Sequence, residues 1–175
     1  MKNQSSPHVR IIGFAAFSGT GKTTLLKQLI PLLTHAGVRL AIVKHSHHDF
    51  EIDHPGKDSY ELHHAGSSQT LITSKYRSAL IRENSSHSEP KLEQELQKLD
   101  LTQIDLVLVE GFRHEQSLYR IELHRPSLNK PLLYPGDDRI IALASDQALD
   151  TPLPLLDIND PAQLAEFILQ WMQKN

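Results

Sequence analysis

The 175-residue sequence contains no cysteine, which excludes disulfides, thiolate metal sites and thiol nucleophiles. It also has no apolar run near the ~20 residues that cross a bilayer, and its polar N-terminus lacks the apolar core of a signal peptide. The net charge of -3 excludes an overall basic field of the kind that attracts nucleic acid or anionic membranes. We therefore expect a soluble, cytoplasmic protein with neither a nucleic-acid nor a membrane partner.

The length and composition favour one folded domain. A chain of 175 residues can bury a sizeable core, and 22% charged residues is ordinary for a globular protein. We expect a disordered tail at residues 1–8 and a single domain at residues 9–175.

One stretch, AFSGTGKTT at residues 16–24, is typical of a phosphate-binding loop, or P-loop. The apolar residues 9–17 lead into it and the helical sequence LLKQLIPLL follows, which is the strand, loop and helix order that the motif requires. Gly19 and Gly21 let successive backbone N–H groups face phosphate oxygens at a helix N-terminus. The sequence therefore predicts a nucleotide-binding domain.

Side chains of the loop complete the predicted site. Lys22 reaches the β- and γ-phosphates, and the Thr23 hydroxyl binds Mg²⁺. The loop departs from the usual motif at its first position, where Ala16 replaces glycine. We expect the loop to close there, although a positive φ is less favourable for alanine. The other predicted nucleotide-binding residues of the loop are Ser18, Thr20 and Thr24.

Apolar runs and turn residues outline an α/β fold with a mostly parallel sheet. Further strands are predicted at residues 40–44, 104–110, 119–123, 139–144 and 153–158, with an antiparallel pair at 70–74 and 78–82. The strand 40–44 is expected to be buried, and Gly37 before it is expected to close the helix that follows the P-loop. Short helices are predicted at residues 57–65 and from Pro90 as a first helical residue. A C-terminal helix is predicted with Asp160 as N-cap and Gln163 in a capping-box variant. Its apolar residues are expected to form one stripe that packs into the core: Leu164, Phe167, Ile168, Trp171 and Met172.

A carboxylate at the carboxyl end of a buried strand is the usual second acid of a P-loop site. Glu110 ends the strand 104–110, and Gly111 after it permits close backbone approach. Asp105 lies at the start of the same strand, at the wrong end of the sheet. We assign Glu110 the Mg²⁺-linked role; the alternative is an ordinary solvated carboxylate.

The polar segment after the strand 40–44 leaves the same edge of the sheet, where ligands of α/β proteins bind. Lys44 and His45 are expected to border the nucleotide. Asp49 is expected to complete the Mg²⁺ shell or to orient a water, and the sequence does not decide between Asp49 and Asp53.

Histidines cluster in this part of the chain. His47 and His48 are candidate ligands for a transition metal because imidazole is a common ligand. Their spacing does not match a metal motif of the HExxH type, so solvated or phosphate-neighbouring histidines are the favoured interpretation.

Base recognition is the weaker part of the pattern, because the NKxD motif of many GTPases is absent. Asp146 follows the strand 139–144, where an acid can accept hydrogen bonds from guanine N1 and N2. Arg125 and Lys130 lie in a proline-rich loop that contacts an anionic ligand or partner, or is a plain surface connection.

The P-loop is followed by KHSHHDF, PGKDSYELHHAG and LVLVEGF, and then by IELHRPSLNKPLL and LLDIND. Together these blocks resemble the molybdopterin-guanine dinucleotide biosynthesis protein B family over residues 12–171. The resemblance implies a P-loop NTPase-like three-layer α/β sandwich with an extra antiparallel strand pair. It also implies binding of GTP with Mg²⁺ and at most slow GTP hydrolysis, in which Lys22, Asp49 and Glu110 would take part.

The resemblance further implies a role as an adapter beside the guanylyltransferase that joins GMP to molybdopterin. Molybdopterin is a possible ligand. The family is usually homodimeric, and the strands 70–74, 78–82 and 119–123 are candidates for the dimer contact.

Two alternative functions remain. A P-loop small-molecule kinase needs lid arginines, but Arg77 and Arg82 fall in the strand pair and Arg113 stands alone. A dimerisation module with a vestigial loop requires that no nucleotide bind at all.

Overall fold

The computed structural model describes residues 9–46, 49–85 and 88–174. The described residues form two compact units, a larger one from 9–45 and 91–174 and a smaller one between 46 and 90. The expected single domain of residues 9–175 stays a prediction, and the expected tail at residues 1–8 lies outside the described residues.

Strands and helices follow one another in an order typical of α/β proteins. They are β1 Arg10–Ala16, α1 Lys22–His35, β2 Leu40–Lys44, α2 Asp58–His64, β3 Gln69–Thr73, β4 Ser78–Arg82, α3 Leu92–Leu96, β5 Leu106–Glu110, β6 Tyr119–His124, β7 Ile140–Ser145, β8 Leu155–Asp157 and α4 Pro161–Lys174. In the larger unit the sheet order is β2-β5-β1-β6-β7-β8, and every pairing in it is parallel. The carboxyl ends of these strands therefore meet at one edge.

Helices α1 and α4 cover one face of this sheet. Leu29 and Leu33 of α1 and Leu164 and Ile168 of α4 are completely buried, because their spacing of four residues places each pair on one side of its helix. Each such side chain contributes about 1.5–3 kcal/mol relative to an exposed one. The predicted apolar stripe of the C-terminal helix is confirmed. No helix among the described residues is long and apolar enough to span a membrane.

The opposite face of the sheet is covered by α3 and by the segments that flank β5. Val107 and Val109 point to this side, where they pack with Leu92, Phe112 and Leu118. Successive residues of a strand alternate between the two faces, so β5 is buried on both. The three-layer α/β arrangement around a parallel sheet is therefore confirmed.

The C-terminus of α1 ends as the sequence predicts. Gly37 has φ +87°, a left-handed conformation that favours glycine. Its N–H donates to the Thr34 carbonyl, and the Val38 N–H donates to the Leu33 carbonyl. These two bonds form a Schellman motif and satisfy carbonyls that the helix leaves unpaired.

The N-terminus of α4 is capped by Asp160, also as predicted. Its Oδ1 accepts from the N–H groups of Ala162 and Gln163 at 3.0 and 3.2 Å. The predicted capping box is wrong, because Gln163 Oε1 accepts from the Asp157 N–H and not from the Asp160 N–H. The Asp160 N–H is already bonded to the Asp157 carbonyl.

The smaller unit contains α2 and the antiparallel pair of β3 and β4, which confirms the extra strand pair. Its centre is His63 of α2, whose side chain is buried. His63 Nδ1 lies 2.8 Å from Thr70 Oγ1, and Nε2 lies 2.8 Å from Glu83 Oε1. The imidazole therefore joins the helix to β3 and to the end of β4.

Three details of the sequence-based assignment are wrong. Helix α3 begins at Leu92 with Lys91 as N-cap, so Pro90 is not its first residue. Strand β2 is not fully buried, because it is an edge strand and Ile42 is half-exposed. Strand β6 pairs with β1 and β7 on its two sides, so it has no free edge for pairing with a second subunit.

Candidate nucleotide-binding site

The loop between β1 and α1 has the backbone of a phosphate cradle. Gly19 and Gly21 have φ +86° and +95°, which places both in the left-handed region. Gly21 is also the N-cap residue of α1, and no side chain caps the helix there. The first N–H groups of α1 are thus turned outward at the positive end of the helix dipole, where an anion binds favourably.

Thr20 stabilises this loop from the inside. Its side chain is buried, and its Oγ1 donates to the Phe17 carbonyl at 2.7 Å. Ala16, at the position that usually holds glycine, ends β1; the non-glycine residues with positive φ in the described part of the chain are Phe112 and Asn129. Alanine therefore brings no backbone strain. A direct contact of Thr20 with a nucleotide stays a prediction.

Glu110 lies between two lysines. Its Oε1 is 3.2 Å from Lys22 Nζ, and its Oε2 is 3.6 Å from Lys44 Nζ. Lys22 begins α1, whereas Lys44 and Glu110 are register partners at the ends of β2 and β5. The side chains of Lys22 and Glu110 are 21% and 17% exposed, so water screens their attraction less than it screens a surface pair.

The turn after Glu110 requires glycine. Gly111 has φ +92°, and a Cβ there would lie 2.8 Å from the Cβ of His45. His45 donates its N–H to the Glu110 carbonyl at 2.8 Å, and its ring centroid lies 5.1 Å from that of Phe112. The structure thus places His45 beside Glu110, at the edge where the sequence predicts the nucleotide.

Arg125 is the residue whose part in this region the sequence did not reveal. It follows β6, and its Nε donates to the Thr20 carbonyl at 3.0 Å. Nη1 donates to Asp146 Oδ2 at 2.6 Å, and Nη2 donates to Asn159 Oδ1 at 2.9 Å. The available signal was its place directly after a strand, but only the pairing of β6 with β1 shows that this strand end adjoins the P-loop.

Asp146 lies at the end of β7, beside a cavity of about 290 Å³ at the carboxyl ends of β7 and β8. The lining also includes Ser145, Gln147, Leu155 and Asp157. Asp146 Oδ1 is buried and has no hydrogen-bond partner within the described residues. This cavity, with its carboxylate acceptor, is the candidate pocket for a nucleobase.

The sequence matches a protein-family model, MobB or molybdopterin guanine dinucleotide synthesis protein B, over residues 11–146. The chain belongs to the MobB family. Its match to the molybdopterin-guanine dinucleotide biosynthesis adapter protein of Escherichia coli is 47% identical over 167 residues, which is 95% of each chain. The Haemophilus influenzae protein of the same name is 41% identical in an alignment of 176 positions that covers 98% of this chain and 92% of the relative.

Solved structures agree with this assignment. A crystal structure of molybdopterin-guanine biosynthesis protein B aligns with a TM-score of 0.72 at 27% identity, covering 93% of this chain and 99% of that one. A MobB homologue from Bacillus stearothermophilus shares the fold, with a TM-score of 0.66 at 19% identity and coverage of 94% and 99%. The resemblance on which the sequence analysis relied is therefore confirmed.

Some predicted residues of the MobB-family site are not brought to it by any described contact. Asp49 and Asp53 belong to the smaller unit, and their part in Mg²⁺ binding stays a prediction. The Asp53 carboxylate accepts from Ser59 Oγ and from the His54 N–H, and these bonds lower its pKa below the usual range. His47 and His48 lie outside the described residues. Among the described residues no group of three or more metal-ligating side chains occurs, so the transition-metal hypothesis gains no support.

The chemistry of the donor set fits a nucleotide phosphate with Mg²⁺. Lys22 supplies a cation beside the exposed N-terminal turn of α1. Thr23 and Thr24 are exposed on that turn, and Glu110 supplies a carboxylate. Magnesium prefers oxygen ligands and is commonly held by one or two protein groups together with phosphate oxygens and waters.

Proposed function

We propose that this protein is a GTP-binding adapter in molybdopterin guanine dinucleotide biosynthesis. It assists the guanylyltransferase that attaches GMP to molybdopterin, and it hydrolyses GTP slowly at most. The observation that carries the nucleotide site is the meeting of Lys22 and Glu110, 3.2 Å apart, at the N-terminus of α1. The pathway rests on membership of the MobB family and on the adapter names of its relatives.

Phosphate binding is assigned to the loop 17–21 and to the first turn of α1. The left-handed glycines expose backbone donors there, and Lys22 adds a charge that can move from Glu110 to a phosphate oxygen. Ser18 in the loop and Thr24 in the first turn of α1 add exposed hydroxyl groups. When bound, Mg²⁺ neutralises phosphate charge; Thr23 and Glu110 would hold it, directly or through water.

Guanine is assigned to the cavity beside Asp146. A carboxylate accepts hydrogen bonds from the N1–H and 2-amino groups of guanine, whereas adenine presents an acceptor at N1. Asp146 Oδ1 is a buried acceptor without a donor among the described residues. Such a group costs free energy until a donor reaches it, which favours guanine over adenine.

The assigned residues support binding more strongly than catalysis. The cations closest to Glu110, Lys22 and Lys44, are both paired with it. Lys22, Glu110 and Asp49 would serve whatever slow hydrolysis occurs. GTP bound in this way would be presented to the guanylyltransferase, and molybdopterin would bind to the enzyme, to the adapter, or across both.

The nucleotide assignment is tested by displacing a fluorescent GTP analogue with GTP, GDP and ATP in the presence of Mg²⁺. We expect displacement by GTP and GDP but not by ATP. Lys22→Ala should weaken GTP binding by about 10–100-fold, because a hydrogen bond to a charged group is lost. Lys27→Ala, an exposed lysine on the same helix, is the matched control and should bind normally.

Two results would contradict the assignment. Unchanged GTP affinity in Lys22→Ala would remove the phosphate site. A preference for ATP, together with acceptor-stimulated turnover at about 1–100 s⁻¹, would favour the small-molecule kinase instead. The adapter role is tested by adding the protein to the guanylyltransferase with molybdopterin and GTP, where Lys22→Ala should fail to raise the rate of dinucleotide formation.

The proposed active form is a homodimer that uses the β3 and β4 pair. Leu71 and Leu80 face each other across this pair and are 64% and 51% exposed. Large apolar side chains side by side on one face favour a protein contact. Light scattering should give a dimer mass that Leu71→Glu lowers to that of a monomer, while Gln28→Glu, at an exposed position of α1 in the larger unit, leaves the dimer intact. A dimer that survives Leu71→Glu would place the contact elsewhere.

A further inference from the structure

We propose that Arg125 is the positioning residue for base recognition: it holds the Asp146 carboxylate in a fixed place relative to the phosphate-binding loop. This inference rests on the proposed binding of guanine nucleotides. It assigns the discrimination between guanine and other bases to a pair of residues rather than to Asp146 alone.

The guanidinium of Arg125 joins three separate segments. Nε bonds to the Thr20 carbonyl in the P-loop, Nη1 to Asp146 after β7, and Nη2 to Asn159 before α4. A guanidinium is planar and its donors have fixed directions, so three bonds to three segments define its orientation. Any shift of Asp146 relative to the P-loop must break at least one of them.

The contact with Asp146 determines which carboxylate oxygen is left for a ligand. Arg125 Nη1 occupies Oδ2 at 2.6 Å, and Oδ1 has no partner among the described residues. The side chain is therefore held with one oxygen engaged and the other buried without a donor among the described residues. A guanine 2-amino group would supply such a donor, whereas inosine lacks this group and keeps only N1–H, so it offers the carboxylate one hydrogen bond fewer.

The contact with Thr20 acts on the phosphate side of the same site. In a planar trans peptide the C=O and N–H groups point in opposite directions. Because Arg125 holds the Thr20 carbonyl, the N–H of Gly21 is turned away from the guanidinium. A Cβ added at Gly21 would lie 3.9 Å from Arg125 Nη2, so the guanidinium lies on the side of Gly21 where a side chain would stand. One side chain thus orients both a loop amide and the base-reading acid.

The test compares dissociation constants for GTP, ITP and ATP in wild type, Arg125→Met and Arg125→Lys. In wild type we expect GTP to bind more tightly than ITP by about tenfold, the usual value of one well-placed hydrogen bond. Arg125→Met should reduce this ratio to near one and weaken GTP more than ATP. Arg125→Lys should also lower the GTP-to-ITP affinity ratio and weaken GTP more than ATP, because a single ammonium does not span three acceptors.

Arg39→Met is the matched control. Arg39 forms a two-pronged ion pair with Asp105, but at the opposite end of the same sheet. The Arg39→Met variant should leave the dissociation constants for GTP, ITP and ATP unchanged.

A merely structural role for Arg125 has a different signature. Equal weakening of GTP, ITP and ATP would mean that Arg125 only supports the P-loop, and would overturn the inference. If Arg125→Met does not fold, the variants Arg125→Lys and Asp146→Asn distinguish the two roles of Arg125. A double variant Arg125→Lys with Asp146→Asn should show the GTP-to-ITP ratio of Asp146→Asn alone, and an additive further loss would contradict the proposal.

The failure of this inference can be told from failure of the proposed function. A wild-type protein that binds GTP with a clear preference over ITP, and an Arg125→Met variant that keeps this preference, would overturn the role of Arg125 alone. A wild-type protein that binds no guanine nucleotide would overturn both.

Discussion

Lys22 Nζ lies 3.2 Å from the Oε1 of Glu110, and the two side chains come from the start of α1 and the end of β5. The contact exists because β5 is the immediate neighbour of β1, so its carboxyl end adjoins the loop that follows β1. A second lysine, Lys44, approaches the other oxygen of the same carboxylate at 3.6 Å. Glu110 thus controls how much positive charge faces the proposed phosphates.

Glu110→Gln should abolish most of the Mg²⁺-dependent gain in GTP affinity while GTP binding without Mg²⁺ stays equal or becomes tighter. The amide removes a carboxylate ligand of Mg²⁺, and it also releases Lys22 from an ion pair. The measurement is the dissociation constant for GTP with Mg²⁺ and with a chelator. Asp105→Asn, directly before the amino end of the same strand, should keep the full gain. An equal Mg²⁺ effect in Glu110→Gln and wild type would rule out this role.

Gly111→Ala should lower the free energy of unfolding by about 2–4 kcal/mol, because it adds a left-handed backbone penalty to an overpacked contact. The new Cβ would lie 2.8 Å from His45 Cβ. Gly136→Ala is the matched control, since Gly136 has an ordinary φ and its Cβ would meet nothing within 4 Å. Denaturant unfolding compares the two variants. Similar stabilities would show that the turn after Glu110 relaxes freely.

Asp160→Ala should destabilise the fold by about 1 kcal/mol, the usual cost of removing an N-cap side chain. The carboxylate accepts from two N–H groups of the first turn of α4, and α4 packs its apolar side on the sheet. Thermal unfolding measures the loss. Asp150→Ala removes an exposed carboxylate outside any helix and should change little. A stability loss no larger than that of this control would mean that the cap contributes nothing.

The burial of the Glu122 side chain predicts that the stability of the fold depends on pH. This carboxyl is buried in β6, and burial raises its pKa above the ordinary 4.5, although hydrogen bonds from the Leu133 and Tyr134 N–H groups partly offset the rise. A carboxyl whose pKa is higher in the folded than in the unfolded state adds to the stability of the fold. This contribution is complete at pH values below the unfolded pKa. That contribution is lost as the pH rises through the folded pKa.

The measurement is the melting temperature of wild type and Glu122→Gln from about pH 4, near the ordinary carboxyl pKa, up to about pH 7. The advantage of wild type over the variant should shrink as the pH rises, because glutamine does not titrate. Glu93→Gln, an exposed carboxyl on α3, should show no such trend. An advantage that grows with pH would mean that the two backbone donors outweigh burial.

The local sequence was sufficient for much of the candidate site. Gly19, Gly21 and Gly37 were assigned from backbone needs that depend on a few neighbouring residues, and the structure confirms a left-handed conformation at each. Glu110 was placed at the proper edge because the carboxyl ends of parallel strands meet there. Its contact with Lys22 depends in addition on the pairing of β5 with β1.

Other features required the order of the strands, which local patterns do not contain. The segment 119–123 was one candidate for the dimer contact, yet it pairs with β1 and β7 on its two sides within the sheet. The same position brings Arg125 to the Thr20 carbonyl. The sequence around Arg125 does not show which strand the preceding β6 pairs with, so it does not show that Arg125 lies beside the P-loop.

The sequence by itself determined the phosphate-binding loop, the parallel α/β class and the family, because each depends on residue types at short, regular spacings. The tertiary structure decided which strand ends adjoin, and therefore which charges meet: Lys22 with Glu110, and Arg125 with Asp146. Electrostatic and hydrogen-bond contacts fall off within a few ångströms, so they depend on strand order and register rather than on distance along the chain.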